Sequence, residues 1–466
     1  MFETRTFREI PKKFLTEVYV NPGLKRELSK LEVDPEDLVV FLHPDGELEM
    51  RVIDFHHRSA DIPLSSPIVH SKKTTSNVYC QFDLKGVGFI KPETHSSKKD
   101  GIEKGELSGY PAAYIIPNSQ ETPWGYDALG LFDERMAMTT VRKSEELASL
   151  GMRVEAFAAL YRLDAIYLEG GRLTSVAALK KEASERFMAE YAELKAVLEN
   201  KDGLRAFSED EKLVIKGKMN DLKAWKNDLM KDFSPVVGVR LMKSVFRIRD
   251  LQDATPDQAR LMLEEAIANL QAEQRLLDKG GNESDGMSMT SYEGREVYVK
   301  KLSGWFGEGL GILMRTGQSH LFLHMGNLSL AGEVVDLDSV GKVLRTRLGK
   351  AYWADGANVY TALNSEYQLP NCLIKDMRDI AISIKKLIQA MSSHGYGIRR
   401  DSRGDIVQAA LEGFTNGLGA QVEPYESIHV TNERLREAFG QILDRVLIEG
   451  RKFEAIPKDG QESGDE

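Results

Sequence analysis

The chain has 466 residues, 42% hydrophobic and 29% charged, which is too long for one compact core and suits two lobes or more. Its formal net charge of −10 argues against binding nucleic acid through bulk charge, and no apolar run approaches the roughly 18 residues of a membrane span. The opening Met1-Phe2-Glu3-Thr4-Arg5 lacks the apolar core of a signal peptide, and Cys80 and Cys372 have no metal-ligand or redox spacing, so a cytoplasmic setting is expected.

Residues 1–70 read as an N-terminal extension with short strands. Leu38-Val39-Val40-Phe41-Leu42 is an apolar run ended by the turn His43-Pro44-Asp45-Gly46, and 48–53 is its expected partner. His56 and His57 are adjacent, which puts them on opposite sides of a strand, and they read as loop histidines. Residues 76–88 alternate as a strand, with Lys85 at its end before a glycine turn. A lysine there can reach nucleotide phosphates as a compact point charge, or it can simply be solvated. Residues 90–128, rich in Ser, Pro, Gly, Lys and Glu, read as a long loop or lid with a short strand at 110–116. Asp133 can cap a helix over 134–150 that stops at Gly151, and 153–168 is strand-rich up to the turn Glu169-Gly170-Gly171.

From 175 to 231, Ala, Lys, Glu and Leu dominate with helical periodicity. Lys201-Asp202-Gly203 breaks this stretch into two helices, and Ser208 with Glu211 forms a capping box for the second. This is the pattern of an inserted helical hairpin, whose charges make either a solvated face or a docking module for a protein partner. A buried strand follows at 235–242, with Arg240 and Arg247 seven residues apart. Thr255-Pro256-Asp257-Gln258 caps a helix to about residue 278, a flexible connection spans 280–291, and another helix covers 293–316.

The stretch His320-Leu321-Phe322-Leu323-His324-Met325-Gly326-Asn327 then runs through a turn into Gly332-Glu333-Val334-Val335-Asp336. A hairpin there can bring the Asn327 amide oxygen and the Asp336 carboxylate together. Mg²⁺ favours such hard oxygen ligands, and a kinase-type site holds its metal with an Asn and an Asp in this way. A plain polar hairpin is the alternative. Beyond Asp338 the chain reads as largely helical, with segments at 374–393, 405–414 and 432–448, and 451–466 reads as a disordered acidic tail.

Four separated pieces match, in order, the pattern of the selenoprotein O family of kinase-like protein adenylyltransferases. Leu84-Lys85-Gly86-Val87-Gly88 is similar to that family's Leu-Lys-Gly-x-Gly, and Ser144 through Gly151 resembles the end of its first-lobe helix. Arg240 through Arg247 reproduces its Arg-x-x-x-Ser-x-x-Arg segment, with Ser244 in register. His320, Asn327 and Asp336 fall at the family's spacing. Together these pieces cover about 76–340.

The resemblance implies an α+β, two-lobed protein-kinase-like fold with a helical insertion and a mostly helical C-terminal lobe. In domain terms this gives an N-lobe-like region over 71–250 interrupted by the insertion at 175–231, and a C-lobe with the metal site over 251–450. It further implies that ATP binds inverted relative to ordinary kinases and that AMP passes to Ser, Thr or Tyr hydroxyls of a protein substrate. By position, Lys85, Arg240 and Arg247 would bind phosphates, and Asn327 and Asp336 would bind Mg²⁺ or Mn²⁺. The chain departs from the pattern at three places. Gly326 stands where the family has the Asp thought to act as base, leaving His324 and Asp338 as candidate bases. Thr140 stands where a helix Glu should pair with Lys85, with Glu134 and Glu145 the nearest acids, and no glycine-rich phosphate loop precedes the Lys85 strand. Two other readings are a catalytically inactive pseudokinase scaffold and a kinase-like phosphotransferase.

Overall fold

The computed structural model describes residues 2–53, 59–72, 75–88, 131–168, 171–199, 208–231, 233–277, 286–346, 352–354, 358–420 and 430–450. The expected 90–128 loop with its strand, the histidine pair at 56–57, the break at 201–203 and the tail at 451–466 lie outside the described residues.

Strands β1 (Phe2–Glu9), β2 (Leu15–Val20), β3 (Val40–Leu42), β4 (Leu48–Ile53), β5 (Ser59–Lys72), β6 (Thr75–Lys85), β7 (Phe132–Asp133) and β8 (Ala156–Leu163) precede a small hairpin of β9 (Ala165–Tyr167) and β10 (Leu173–Ser175). With β11 (Pro235–Met242), all but that hairpin form one antiparallel sheet ordered β2-β8-β11-β6-β5-β4-β1-β3, and β7 pairs with the start of β11. All eight residues of β11 are buried, as the unbroken Val-rich run requires of a central strand. The first 70 residues are therefore not an extension. Their strands belong to the sheet that carries Lys85, because β5 runs beside β6 from Ser59↔Lys85 to Lys72↔Thr75.

Helix α1 (Pro22–Ser29), capped by Asn21, packs on this sheet. Helix α2 (Glu134–Ser149) opens where Asp133 accepts from the Arg135 amide at 2.7 Å. Helices α3 (Val176–Leu198) and α4 (Glu209–Lys231) pack together as the inserted hairpin. The capping box is formed, with the Glu211 amide donating to Ser208 Oγ at 3.2 Å and the Ser208 amide to Glu211 Oε2 at 2.9 Å. The hairpin is tied to the sheet, since Leu179 and Leu222 lie in the same buried cluster as Phe7, Phe41 and Val239.

Helices α5 (Ile248–Gln252), α6 (Pro256–Leu277), α7 (Tyr292–Arg315), α8 (Asn371–Ser393), α9 (Arg403–Leu418) and α10 (Asn432–Leu443, continued by a π turn over Asp444–Ile448) line a second core. Helices α7 and α9 approach closely on glycines: a Cβ on Gly413 would fall 1.9 Å from the Gly304 carbonyl oxygen. The region after Asp338 is not purely helical. Strands β13 (Gly341–Arg345), β14 (Tyr352–Ala354) and β15 (Asn358–Thr361) come before its helices and join β12 (Gln318–Ser319) in a sheet ordered β12-β13-β15-β14. The two cores are linked by Arg51 on β4, which pairs bidentately with Glu265 on α6 at 2.9 Å while also reaching Asp61. No described helix is long and apolar enough to cross a membrane.

Candidate nucleotide and metal site

Lys85 sits at the end of β6, where the chain must turn sharply. Gly86, at φ +97°, has the Val236 carbonyl 2.2 Å from where a Cβ would stand, so only glycine fits there. The lysine, 5% exposed, lies 4.7 Å from the Phe132 ring centre and donates to Asp336 Oδ1 at 2.5 Å.

Asp336 arrives on the hairpin read in the sequence, whose Leu328, Val334 and Val335 lie in the second core. The Val335 amide donates to the Asn327 carbonyl at 3.1 Å, and a bridge joins Leu328 to Val334, which sets Asn327 beside the end of the second arm. Asp336 itself adopts a left-handed backbone, φ +58° and ψ +55°, which is uncommon for non-glycine residues and which Asp tolerates better than most. Its amide donates to buried Glu155 at 3.0 Å.

Arg247 completes the contact. Residues 246–248 pair with 328–330: the Leu330 amide donates to the Phe246 carbonyl at 2.7 Å and the Ile248 amide to the Leu328 carbonyl at 3.0 Å. Arg247 Nη1 then reaches both the Gly326 carbonyl, 2.7 Å, and Asp336 Oδ2, 3.0 Å. Buried Glu333 fixes the turn between the arms by accepting from the Lys243 and Ser244 amides and from Ser329 Oγ.

Burial by itself would raise the Asp336 pKa, but the charges of Lys85, Arg247 and Arg240 outweigh it and hold the carboxyl well below the usual range. Each carboxylate oxygen keeps a further lone pair, and the side chain is 24% exposed. Asn327 spends its amide nitrogen on the Phe322 carbonyl, 3.1 Å, which leaves the amide oxygen as an acceptor. Two hard oxygen donors of this kind suit Mg²⁺ or Mn²⁺ completed by phosphate and water. Among the described residues, no group of three or more His, Cys, Asp and Glu side chains is gathered to hold a metal by itself.

Arg240 belongs to the cluster but not to its surface. It is fully buried on β11, directly across the ladder from Asp83, and its guanidinium bonds to both Asp83 and Glu155, with Asp336 Oδ1 3.7 Å away. Burial opposes its charge, and the three carboxylates more than restore it. This is the place of a positioning residue: it holds Glu155, which holds the Asp336 backbone. The phosphate-contacting role implied by resemblance does not fit a guanidinium with no exposed surface.

The departures also resolve. Glu134 pairs with Arg162 at 2.6 Å and Glu145 accepts from the Tyr19 hydroxyl at 2.8 Å, so both candidate helix acids are engaged away from Lys85. Thr140 is buried and donates to the Met136 carbonyl at 2.9 Å. His324 is exposed, and its Nδ1 accepts the Gly326 amide at 3.1 Å. Asp338 lies in the short turn Leu337–Ser339, which packs against α2.

Three site residues carried no signal in the patterns above. Asp83 and Glu155 are lone acids beside apolar strands, and an acid within such a run marks a buried partner for a cation. Asp376 lies on the buried face of α8, in line with Ile380 and Leu387. Its Oδ2 accepts from Ser319 Oγ at 2.7 Å and from the His320 amide at 2.9 Å, which fixes the start of the His320–Asn327 segment. Burial pushes the Asp376 carboxyl up to about 7 and the His320 imidazole down to about 4. Neutral His320 donates from Nε2 to the Val335 carbonyl at 3.1 Å, immediately before Asp336.

No protein-family model matches the chain, and no curated protein matches it.

Proposed function

We propose that the chain is an ATP- and metal-dependent transferase with a kinase-like site, moving AMP to Ser, Thr or Tyr hydroxyls of a protein, as the resemblance to the selenoprotein O family implies. The observation that carries this reading is that Lys85 and Arg247, far apart in sequence, both bond the Asp336 carboxylate beside Asn327. Kinase-type transfer needs a strand lysine, a metal-binding Asp and a metal-binding Asn at one place, because it works by positioning and charge neutralisation. The spacing from His320 to Asn327 also equals the His-to-Asn spacing of the kinase catalytic loop.

In this reading Lys85 and Arg247 turn from Asp336 to the phosphates, while Asn327 and Asp336 hold the cation. A cation held there would supply positive charge to the phosphate oxygens. Arg240, Glu155 and Asp376 keep the segments in place. The test is incubation with Mn²⁺ and ATP labelled at the α or the γ position. Protein label from the α position supports AMP transfer, γ label supports a kinase, and activity surviving Asp336→Ala would sink the assignment.

A second reading, a nucleotide-binding pseudokinase scaffold, is favoured by one observation: Glu134 and Glu145 are both committed away from Lys85. Stabilisation by ATP with no label from either position would select it.

A further inference from the structure

Four charged residues stand side by side on the sheet face that α6 covers. Register pairs Arg51 on β4 with Asp61 on β5, Asp61 with Asp83 on β6, and Asp83 with Arg240 on β11. Side chains directly opposite one another share a face, with Cβ atoms about 4.5–5.5 Å apart, and like charges so placed repel. The row therefore sets two buried carboxylates against each other, Asp61 3% and Asp83 1% exposed, between two guanidinium groups.

Each cation takes one oxygen of its neighbour. Arg51 Nε donates to Asp61 Oδ2 at 2.6 Å, and Arg240 Nη2 donates to Asp83 Oδ2. The other two oxygens, Asp61 Oδ1 and Asp83 Oδ1, are both shut from solvent and accept from no donor among the described residues. An unpaired buried oxygen is costly, and more so when it carries charge. One proton relieves both atoms together: it removes one of the two like charges and turns one oxygen into a donor for the other.

We propose that Asp61 is held protonated, its hydroxyl donating to Asp83 Oδ1, and that this proton tightens the Arg51–Glu265 pair that joins the two cores. Arg51 is shared: Nη1 and Nη2 bond both oxygens of Glu265 on α6 at 2.9 Å, while Nε serves Asp61. A neutral Asp61 leaves the guanidinium charge to Glu265, and an ionised one competes for it. Gln81, two residues before Asp83 on the same face, also bonds Glu265 and accepts from the Val245 amide at 2.7 Å, so the clamp extends to the link between β11 and α5. Burial raises the Asp61 pKa, Arg51 opposes it, and the charges of Asp83 and Glu265 raise it further, which brings the carboxyl to about 7. The cations beyond Asp83 are bonded elsewhere, Lys85 to Asp336 and Arg240 to Asp83 and Glu155.

Asp61→Asn in the full chain tests this, because its amide puts an N–H where the proposal puts an O–H and keeps a carbonyl for Arg51. Folded Asp61 keeps its proton while the unfolded chain, with a carboxyl near 3.9, releases it. Its contribution to stability is therefore full below about pH 4 and is lost as pH rises through about 7. Melts from about pH 5 to about pH 9 should show Asp61→Asn less dependent on pH than the parent, and at least as stable at the alkaline end. A lower melting temperature at every pH, or failure to fold, overturns the proposal, since either is the result of taking an ionised partner from Arg51. Asp61→Ala has no donor for Asp83 and should melt below Asp61→Asn throughout; equal melting overturns the donation. The infrared carbonyl stretch of a protonated carboxyl should appear in the difference between parent and Asp61→Asn at about pH 5 and be gone at about pH 9, and its absence at both overturns the proton. Arg51→Met, Glu265→Gln and the double variant read the clamp. The shortfall of the double variant from the sum of the singles should be larger at the acid end, and an equal shortfall at both ends overturns the tightening.

Discussion

Lys85 Nζ and Asp336 Oδ1 are 2.5 Å apart, joining the end of a sheet strand to a hairpin 251 residues later in the chain. The contact holds the site's strand lysine against the carboxylate proposed to hold metal, with Arg247 on the second oxygen. Asp336→Ala removes both bonds and leaves the cations without their shared anion. Hydrogen bonds to charged groups contribute about 1.5–3 kcal/mol each, so a loss of that order is expected in urea unfolding, together with complete loss of label transfer. Lys85→Met removes one of the two bonds while Arg247 keeps its own, so it should cost less than Asp336→Ala, about 1.5–3 kcal/mol. Its ATP-induced rise in melting temperature should disappear.

Arg240 and Arg247 share the site but should fail differently. Arg240→Met leaves Asp83 and Glu155 buried without their cation, and removing one partner of a buried ion pair costs about 3–5 kcal/mol. Arg240→Lys should rescue little, because one ammonium cannot span both carboxylates. Arg247→Met should cost less stability and remove ATP binding. Urea midpoints for the three variants, beside ATP-dependent melting shifts, check this. Equal destabilisation by Arg240→Met and Arg247→Met would contradict the positioning role.

Asp376 gives a pH signature. Its carboxyl is raised to about 7 in the folded chain by burial, against about 3.9 when unfolded. Between those values the unfolded chain releases the proton and the folded chain keeps it, so stability falls as pH rises from about 4 to about 7 and levels off above. Asp376→Asn retains a carbonyl acceptor for Ser319 and His320 without the buried charge. The variant should match or exceed the parent above pH 7 by about 2–4 kcal/mol and lose this part of the slope. Thermal melts across that range would show it, and identical slopes would remove Asp376 as the cause.

Local chemistry made the helices readable. Asp133, Ser208 with Glu211, and Thr255 with Gln258 cap where their side chains suggest, because a cap is decided within one turn of chain. The strands were harder. β5 contains Pro63 and Pro67, which normally argue against a strand, yet the register shift between Pro63 and Ile68 lets the pairing run around them. β1 alternates charged residues with Phe and Thr and becomes a strand only because β3 and β4 are there to pair with it. The Lys85, Arg247, Asn327 and Asp336 set was drawn together by the resemblance, through the order and spacing of its motifs. Glu155 and Asp376 were not, since what defines them is a partner more than fifty residues away.

The inserted hairpin has two kinds of leucine. Leu222 on α4 is 1% exposed within the sheet core, and Leu213 on the same helix is 70% exposed. Leu222→Ala should cost about 2–5 kcal/mol, as large-to-small core substitutions do, and Leu213→Ala should stay within about 0.5 kcal/mol. If Leu222→Ala proves silent, the hairpin is an independent appendage and its deletion should spare the fold.

Metal and nucleotide should bind as a coupled pair. Lys85, Arg240 and Arg247 are balanced by Asp83, Glu155 and Asp336, so the site is close to neutral as it stands. A divalent cation arriving alone meets three positive side chains around the one exposed carboxylate. Phosphates arriving with the cation draw Lys85 and Arg247 off Asp336 and free its oxygens for the metal. Each ligand thus removes the obstacle to the other, and linkage makes the effect reciprocal, with a coupling of about 1–3 kcal/mol. Mn²⁺ alone should barely move the melting temperature, ATP alone should move it modestly, and both together should exceed the sum. Strictly additive shifts would mean that Asp336 is not the shared partner. In Asp336→Asn, which no longer attracts the cations or the metal strongly, the excess over additivity should vanish while the shift from ATP alone remains.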